Sequence, residues 1–338
     1  MLNPEGRHGK LRLDKNEHIT GLPKELVRNA LSQLNTETIS SYPEVSPLYQ
    51  KLAKSLKVSE ENIMLAAGSD PAIKSLYELF IKEGDNVILQ KPTYAMFHVY
   101  ADMFGAIAIN IGYDQKLNFD MDLLLENINT EVQMICIANP NSPTGTVIEE
   151  NLLEDIIKKA AKSGVVVLID EAYYPFYEKT MISYINHYEN LVISRTFSKA
   201  YGLAGLRLGY LVGGKNIIQL LMKVRPMYEI TGIAAHFGCY ILDHETLIQN
   251  YVKKTKEGNH YLVGEFKKMG YESYPTEANF VHIKIPDVKI RKFIINQLSD
   301  NNILVSGQQN HPFQDCIRIS TGPVAEMKKV MKCIGKLQ

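Results

Sequence analysis

Residues 164–173 read GVVVLIDEAY. A continuous apolar run, mostly β-branched, occupies 165–169, and two adjacent carboxylates, Asp170 and Glu171, follow it. A run that is apolar on both faces is typical of a buried parallel strand. In open α/β sheets, ligands bind beyond the carboxyl ends of the strands, so Asp170 is predicted to project into a site and not into the core. A carboxylate buried in that place requires a cationic partner.

Two kinds of site would supply a cation beside Asp170. An apolar strand ending in Asp-Glu also holds Mg²⁺ in P-loop ATPases, but that site needs the motif G-x-x-x-x-G-K-[ST]. The Gly-Lys pairs at 9–10, 214–215 and 335–336 are not followed by Ser or Thr, which excludes the ATPase interpretation. The other candidate is a protonated pyridine nitrogen, which a charge-assisted hydrogen bond would keep charged and electron-withdrawing.

Residues 194–210 read SRTFSKAYGLAGLRLGY and place a lysine and an arginine in a small-residue turn between two apolar strands. A lysine held among apolar and hydroxyl groups can lose its proton and attack a carbonyl to form a Schiff base. Lys199 is therefore the candidate nucleophile. The alternative is an ordinary solvated lysine in a connecting loop.

Residues 67–80 predict a helix that begins near Ser69. Ser69 or Asp70 can cap it, and Pro71 suits the first helical position. The free backbone N–H groups of such a helix start attract an anion, and a phosphate is the expected one. The alternative is a capped helix without a ligand.

Two further turns follow predicted strands. The sequence PTY occupies residues 92–94, and NPNSPTG occupies residues 139–145. Each is by itself an ordinary proline-rich turn. Taken in chain order with the segments above, they resemble the fold-type I enzymes that use pyridoxal 5′-phosphate, specifically the histidinol-phosphate aminotransferase branch. The resemblance extends from residue 13 to residue 322, and its motifs are GSD (68–70), PTY, NPNSPTG, DEAY (170–173), SRTFSK (194–199) and GLAGLRLGY (202–210).

The resemblance implies an α/β fold with two domains. The large, cofactor-binding domain is expected at 41–231, with a central, mostly parallel sheet flanked by helices. A smaller α+β domain is expected to combine 1–40 with 232–338. The hydrophobic pattern itself predicts strands near 87–90, 107–111, 134–138, 165–169, 191–194, 208–212, 280–284 and 316–320, and a helix at 151–162.

The resemblance also assigns roles at the cofactor. Lys199 would hold pyridoxal phosphate covalently and later carry a proton, Asp170 would pair with the pyridine nitrogen, and Tyr173 would hydrogen-bond the ring's phenolic oxygen. Tyr94 would stack on the ring. The remaining cofactor contacts fall to Ser69, the backbone of Asp70, Ser142, Thr196, Ser198 and Arg207. Tyr42 would reach the phosphate from a second subunit, which implies a homodimer with shared active sites.

On the substrate side, Arg318 matches the family's arginine for the substrate α-carboxylate, and a bidentate pair would orient the substrate. Without the resemblance, the interpretation of Arg318 would be an arginine at a sheet edge that forms a solvated ion pair. The other expected substrate contacts are Asn16, His18, Tyr228 and Glu229. For Glu229 the alternative is a solvated contact with Arg225, four residues earlier on a helix.

Two of the chain's departures from the family pattern bear on the cofactor and the acceptor. Ser142 replaces the asparagine that usually precedes Pro-Thr-Gly, so a shorter side chain faces the ring oxygen and cofactor affinity could be lower. Ser306 stands near the position where histidinol-phosphate enzymes carry an arginine for the substrate phosphate. The acceptor substrate therefore stays open.

The main hypothesis is a transaminase that moves an amino group between an amino acid, with glutamate as the expected donor, and a keto or phosphorylated keto acceptor. The first alternative is a decarboxylase of a phosphorylated or unmodified amino acid on the same scaffold. The second is a non-catalytic binding protein, which should have lost Lys199 or Asp170.

Composition excludes several other classes. Lys plus Arg and Asp plus Glu each number 37, so the zero net charge gives no electrostatic footprint for nucleic acid. The four cysteines show no C-x-x-C spacing and the nine histidines no HExxH, so no metal site is expected. There is neither a signal-peptide pattern nor a membrane-spanning run, so no membrane association and a cytoplasmic location are expected.

Overall fold

The protein is described by a computed structural model that covers residues 6–307 and 311–335 of the 338-residue chain. The chain divides into two compact units. One contains the residues up to Leu22 together with those from Thr246 onward, and the other is Pro23–Glu245. The predicted large domain, 41–231, lies within the second unit, which extends further at both ends. The boundaries of the two domains stay a prediction.

The described residues contain these β-strands: β1 Leu11–Leu13, β2 Ile63–Ala66, β3 Asn86–Lys91, β4 Ile107–Gly112, β5 Val132–Ala138, β6 Val166–Asp170, β7 Leu191–Thr196, β8 Gly209–Gly213, β9 Glu272–Ser273, β10 Phe280–Lys284, β11 Ile303–Val305 and β12 Cys316–Ser320. They contain these α-helices: α1 Lys24–Ser32, α2 Glu37–Ser40, α3 Ser46–Leu56, α4 Ser69–Phe80, α5 Ala95–Met103, α6 Met121–Asn127, α7 Glu150–Lys162, α8 Lys215–Leu221, α9 Gly232–Leu242, α10 Glu245–Lys268, α11 Val288–Asp300 and α12 Val324–Ile334.

The larger unit is built on a seven-stranded sheet with the order β2-β8-β7-β6-β5-β3-β4. Neighbouring strands from β7 to β4 are parallel, whereas β8 runs antiparallel to both β7 and β2. Every residue of β6 is buried, as expected for a strand that is covered on both faces. The predicted strands of this sheet are confirmed.

One face of the sheet packs against α4, α5 and α8. Alternate strand residues such as Leu89, Cys136 and Leu168 contact a helical set that includes Tyr77 and Phe97, and all of these side chains are fully buried. The alternation follows from the two-residue period of a strand. This packing fixes where each strand ends along the sheet, and therefore where the loop after each strand lies.

Helix α4 has the predicted extent, but the prediction of its cap was wrong. The N-cap is Gly68, which has φ 102°, so Ser69 and Asp70 already lie in the first turn and Pro71 is the third helical residue. Glycine tolerates this backbone conformation, which Ser or Asp would adopt at a cost. Pro71 still sacrifices no helical hydrogen bond, because the first four N–H groups have no partner within a helix.

The smaller unit combines short strands with long helices. Strand β10 pairs antiparallel with β12 and β9, and β1 pairs parallel with β11. Its core joins side chains of β10 and β12 with α10, α11 and α12. This is the α+β composition expected for the small domain, and the strands predicted at 280–284 and 316–320 are confirmed.

Two features are absent from the described residues, 6–307 and 311–335. None of the helices there is both long and apolar enough to cross a membrane. Within the same ranges, no group of three or more His, Cys, Asp and Glu side chains is arranged to hold a metal ion. The cytoplasmic location stays a prediction.

Candidate active site

The predicted motifs converge because of the strand directions. Strands β2, β3, β5, β6 and β7 all run the same way, so the loops after their carboxyl ends lie along one edge of the sheet. Strand β8 runs the opposite way, which brings Arg207, two residues before it, to the same edge. Ligands bind at this edge in open α/β sheets.

Asp170 is the last residue of β6 and is only 4% exposed. Its Oδ1 accepts a hydrogen bond from the Ser194 hydroxyl on the neighbouring strand, where the register places these two residues side by side. Burial raises the pKa of Asp170 to about 6, and the adjacent Glu171 adds to the effect, while Ser194 and the Lys199 ammonium lower it. A carboxylate has about four acceptor positions, so Asp170 can accept a further charged donor.

Lys199 follows β7 in a turn that backbone hydrogen bonds close. The Phe197 N–H donates to the Leu208 carbonyl at 2.9 Å, and the Leu203 N–H donates to Phe197 at 2.9 Å. At the start of the turn, the Thr196 hydroxyl accepts from the Ser198 N–H at 3.1 Å. The Lys199 Nζ lies 5.9 Å from the centroid of the Tyr173 ring, and Lys199 is partly buried, unlike a fully solvated loop lysine.

An anion cradle lies where this turn meets α4. The Arg207 Nη1 donates to the Ser198 Oγ at 3.3 Å, and a Cβ built on Gly68 would lie 2.6 Å from the Arg207 Nη2. The guanidinium, a hydroxyl and the first turn of α4, which includes Ser69 and Asp70, therefore surround one position. This donor set suits a phosphate, which fits the predicted cofactor.

Gly209 lets the cradle close. A Cβ on Gly209 would lie 2.4 Å from the Ser69 nitrogen and 2.5 Å from the Gly68 carbonyl carbon, both backbone atoms that cannot rotate away. We expect Gly209→Ala to weaken binding of pyridoxal phosphate at least about tenfold and to lower the free energy of unfolding by about 1–3 kcal/mol. Cofactor titration and urea unfolding measure the two effects.

The matched control is Gly205→Ala in the same turn, because a Cβ there meets no atom within 4 Å. Gly205→Ala should bind the cofactor as the wild type does. Unchanged cofactor affinity in folded Gly209→Ala would show that the backbone of α4 does not hold the phosphate.

The loops after β3 and β5 are tied together through Asn141. Its Oδ1 accepts from the Thr93 hydroxyl at 2.8 Å, and its Nδ2 donates to the Pro92 carbonyl at 2.9 Å. Ser142, next in the chain, is partly buried. Tyr94 is held by its own hydroxyl, which donates to the Asp70 Oδ1 at 3.3 Å.

Tyr42 and Tyr228 were assigned to different roles and stack on each other. Their ring centroids lie 3.9 Å apart with an interplanar angle of 8°, and Tyr42 is 72% exposed. Close by in sequence, Arg225 and Glu229 form the ion pair that was the alternative to a substrate contact for Glu229. The pair does not lie on a helix as that alternative had it, because residues 223–231 form a loop of turns and bends between α8 and α9. The contact is also less solvated than predicted, since the Glu229 side chain is only 6% exposed.

Three of the predicted substrate residues belong to the smaller unit. The Arg318 Nη2 donates to the Asp14 carbonyl at 2.8 Å. Asn16 is buried, and its Oδ1 accepts from the Ser320 hydroxyl at 2.8 Å while its N–H donates back to the Ser320 Oγ at 2.9 Å. These bonds attach the N-terminal segment to β12, the strand that carries Arg318.

His18 packs face to face on Tyr251, with ring centroids 3.5 Å apart and an interplanar angle of 15°. Burial lowers the pKa of His18 to about 4, so the imidazole is neutral near pH 7. This stacking gives His18 a packing role, and its contact with substrate stays a prediction.

The sequence interpretation missed four residues that shape this edge. Ser194 contacts Asp170, Asn141 joins two loops, and Glu171 and Arg195 form a buried ion pair at 2.8 Å. The signal for the ion pair was present, since both charged residues stand at the ends of apolar runs that form neighbouring strands.

Comparison with known proteins agrees with this geometry. The sequence model of the family described as aminotransferase class I and II matches residues 8–334. A histidinol-phosphate aminotransferase of Thermoanaerobacter pseudethanolicus is 34% identical over 302 residues, which make up 88% of this chain and 84% of that protein.

Two solved structures show the fold. The histidinol-phosphate aminotransferase of Sinorhizobium meliloti, in complex with pyridoxal-5′-phosphate, has a TM-score of 0.88 at 24% identity and covers 100% of this chain and 96% of its own. The L-threonine-O-3-phosphate decarboxylase of Porphyromonas gingivalis has a TM-score of 0.81 at 19% identity. The match covers 97% of this chain and 99% of that protein.

The predicted α/β fold-type I architecture is thereby confirmed. The predicted enzyme class and the predicted cofactor, pyridoxal 5′-phosphate, are those of the matching family. Because the family match spans nearly the whole chain and a relative above 30% identity covers most of it, the chain belongs to the class I and II aminotransferases.

Proposed function

We propose that this aminotransferase moves an amino group from glutamate to a keto or phosphorylated keto acceptor, as a histidinol-phosphate aminotransferase-like enzyme. The observation that carries the proposal is the meeting of Lys199, Asp170 and the Ser198–Arg207 cradle at one edge of the sheet. Relatives named histidinol-phosphate aminotransferase support this choice of reaction.

When bound, pyridoxal phosphate supplies a ring that withdraws electrons from the substrate Cα. In our proposal Lys199 tethers the cofactor and then carries the proton that leaves the substrate Cα. Asp170 would accept a hydrogen bond from the ring nitrogen and keep it charged. Tyr173 and Ser142 would contact the ring's phenolic oxygen, and Tyr94 would stack on the ring face.

The phosphate is assigned to Ser69, the Asp70 backbone, Ser198 and Arg207, with Thr196 holding the turn beside them. Arg318 is proposed to bind the substrate carboxylate. The side chains proposed to line the rest of the substrate site are Asn16, His18, Tyr228 and Glu229. Ser306 offers no positive charge at the position of the family's arginine, so a phosphate on the acceptor would need another partner.

We also propose a homodimer in which Tyr42 reaches the partner's phosphate site. Exposed apolar side chains support it, because Ile39, Tyr42 and Met227 are 72%, 72% and 78% exposed and Tyr42 already packs on Tyr228. Such a surface favours burial against another chain. Sedimentation equilibrium should give twice the mass of one chain, and a monomer at micromolar concentration would contradict this.

A panel of amino acids added to the cofactor-loaded enzyme tests the reaction. Glutamate should convert the cofactor to its amine form and yield 2-oxoglutarate, and keto acids with and without a phosphate then rank the acceptors. Release of CO₂ without a keto acid would favour the decarboxylase alternative. A structure of the same fold with that activity exists at 19% identity, which supports the scaffold alone.

A further inference from the structure

Behind Asp170 lies a second buried carboxylate. Glu171 follows directly in the chain and is only 3% exposed. Both of its oxygens are occupied: Oε1 accepts from the Met181 N–H at 2.8 Å, and Oε2 accepts from the Arg195 Nε at 2.9 Å and Nη2 at 2.8 Å. Thr180 donates its hydroxyl to the same carboxylate at 2.8 Å.

Arg195 lies on β7 and is equally buried, at 3% exposure. Its Nη2 also donates to the Thr180 Oγ1 at 2.8 Å, and its guanidinium carbon lies 3.5 Å from the centroid of the Tyr174 ring. The guanidinium is thus held by a carboxylate, a hydroxyl and an aromatic face. Such a fully desolvated arrangement favours one side-chain geometry.

The pair joins the segments that carry the proposed catalytic groups. Glu171 stands between Asp170 and Tyr173, and Arg195 is four residues before Lys199. The Glu171 N–H also donates to the Ser194 carbonyl at 2.9 Å, so backbone and side chain both connect β6 to β7. A shift of either strand end would move Asp170 relative to Lys199.

The pair also has an electrostatic effect. Glu171 raises the pKa of Asp170 after burial itself, so a negative charge on Glu171 works against the ionised Asp170 that the ring nitrogen requires. The other titratable groups around Asp170 are Lys199, Tyr94 and Cys136, and those around Arg195 are Tyr174, Tyr201 and Tyr210. The cation that ion-pairs with Glu171 is Arg195.

We propose that Glu171 and Arg195 are positioning residues that hold Asp170, Tyr173 and Lys199 in place, and that Arg195 neutralises Glu171 so that Asp170 can stay ionised. A buried ion pair by itself is weak support for stability, because apolar replacements of both partners are often tolerated. The proposal therefore predicts effects on the protonation of Asp170 and not only on folding. It rests on the proposed function of Asp170.

The test follows the pH dependence of kcat/KM and of the visible absorbance of the cofactor-loaded enzyme. In Arg195→Met the charge of Glu171 is unpaired, so the acid limb of both profiles should move to higher pH by about one unit. In Glu171→Gln the guanidinium is unpaired, so the acid limb should move to lower pH. The double variant Glu171→Gln/Arg195→Met should return it toward the wild-type position.

Shifts of opposite sign in the two single variants distinguish this role from a merely structural one, which would lower activity equally at every pH. An acid limb that stays in place in both folded variants would overturn the proposal. If Arg195→Met does not fold, the direction of the shift in Glu171→Gln decides alone. An inactive wild type would contradict the proposed function, whereas an active wild type with unshifted variants would contradict only this inference.

Discussion

Lys199→Ala is expected to abolish amino transfer, with a loss of turnover of at least about 10³-fold, because one amine both tethers the cofactor and carries the proton. Lys199 lies in a turn closed by backbone hydrogen bonds, and its Nζ is 5.9 Å from the centroid of the Tyr173 ring. Steady-state turnover with glutamate measures the loss, and borohydride reduction followed by mass spectrometry reports the covalent attachment.

The control for this variant is Lys223→Ala, which changes an exposed lysine after α8 in the same unit. It should retain full turnover and covalent attachment. If Lys199→Ala kept more than about a tenth of the wild-type rate, Lys199 would not be the catalytic amine. The non-catalytic alternative predicts no turnover in the wild type either.

Asp170→Asn should lower kcat/KM by about 10²–10³-fold, the range found when a preorganised electrostatic partner is removed from an active site. An amide can still contact the ring nitrogen but does not keep it protonated. The buried site and the Ser194 hydrogen bond fix the side chain, so the amide should occupy the same position. Single-turnover kinetics with glutamate separate this loss from weaker cofactor binding, and wild-type rates in a fully loaded variant would argue against the assignment.

The same substitution should change how stability depends on pH in the cofactor-free protein. The pKa of Asp170 is raised to about 6, chiefly by burial, so the folded state keeps a proton that the unfolded chain releases near pH 4. The wild type should therefore lose up to about 3 kcal/mol of unfolding free energy relative to Asp170→Asn as the pH rises from about 4 to 7. Urea unfolding at both pH values measures the difference, and a constant difference would show that Asp170 is not perturbed.

The parts of the fold that follow from periodicity could be predicted from the sequence. Residues 165–169 are apolar without interruption, which specifies a strand buried on both faces, and β6, Val166–Asp170, is that strand. The helix at Ser69–Phe80 was predicted from the residues at its start, but its cap was not, because Gly68 occupies the N-cap through its positive φ and offers no side-chain oxygen.

The site could be predicted only as far as its motifs extend. The contact between Asp170 and Ser194 depends on the register of two strands, and no local pattern specifies which residue of β7 stands opposite the end of β6. The ion pair of Glu171 and Arg195 joins residues 24 positions apart for the same reason. Conversely, a four-residue spacing suggested a helix for Arg225 and Glu229, whereas turns bring the two charges together.

The loop from Phe197 to Leu208 carries both the candidate tether, Lys199, and the candidate phosphate ligand, Arg207. A cofactor bound by both residues has a fixed length, so the distance between Lys199 and Arg207 must match it. Inserting or deleting one residue there would change the distance between the two contacts, whereas a surface loop that has no cofactor contact faces no such constraint. Natural variation in loop length should therefore be smaller in this hairpin than in surface loops without a cofactor contact.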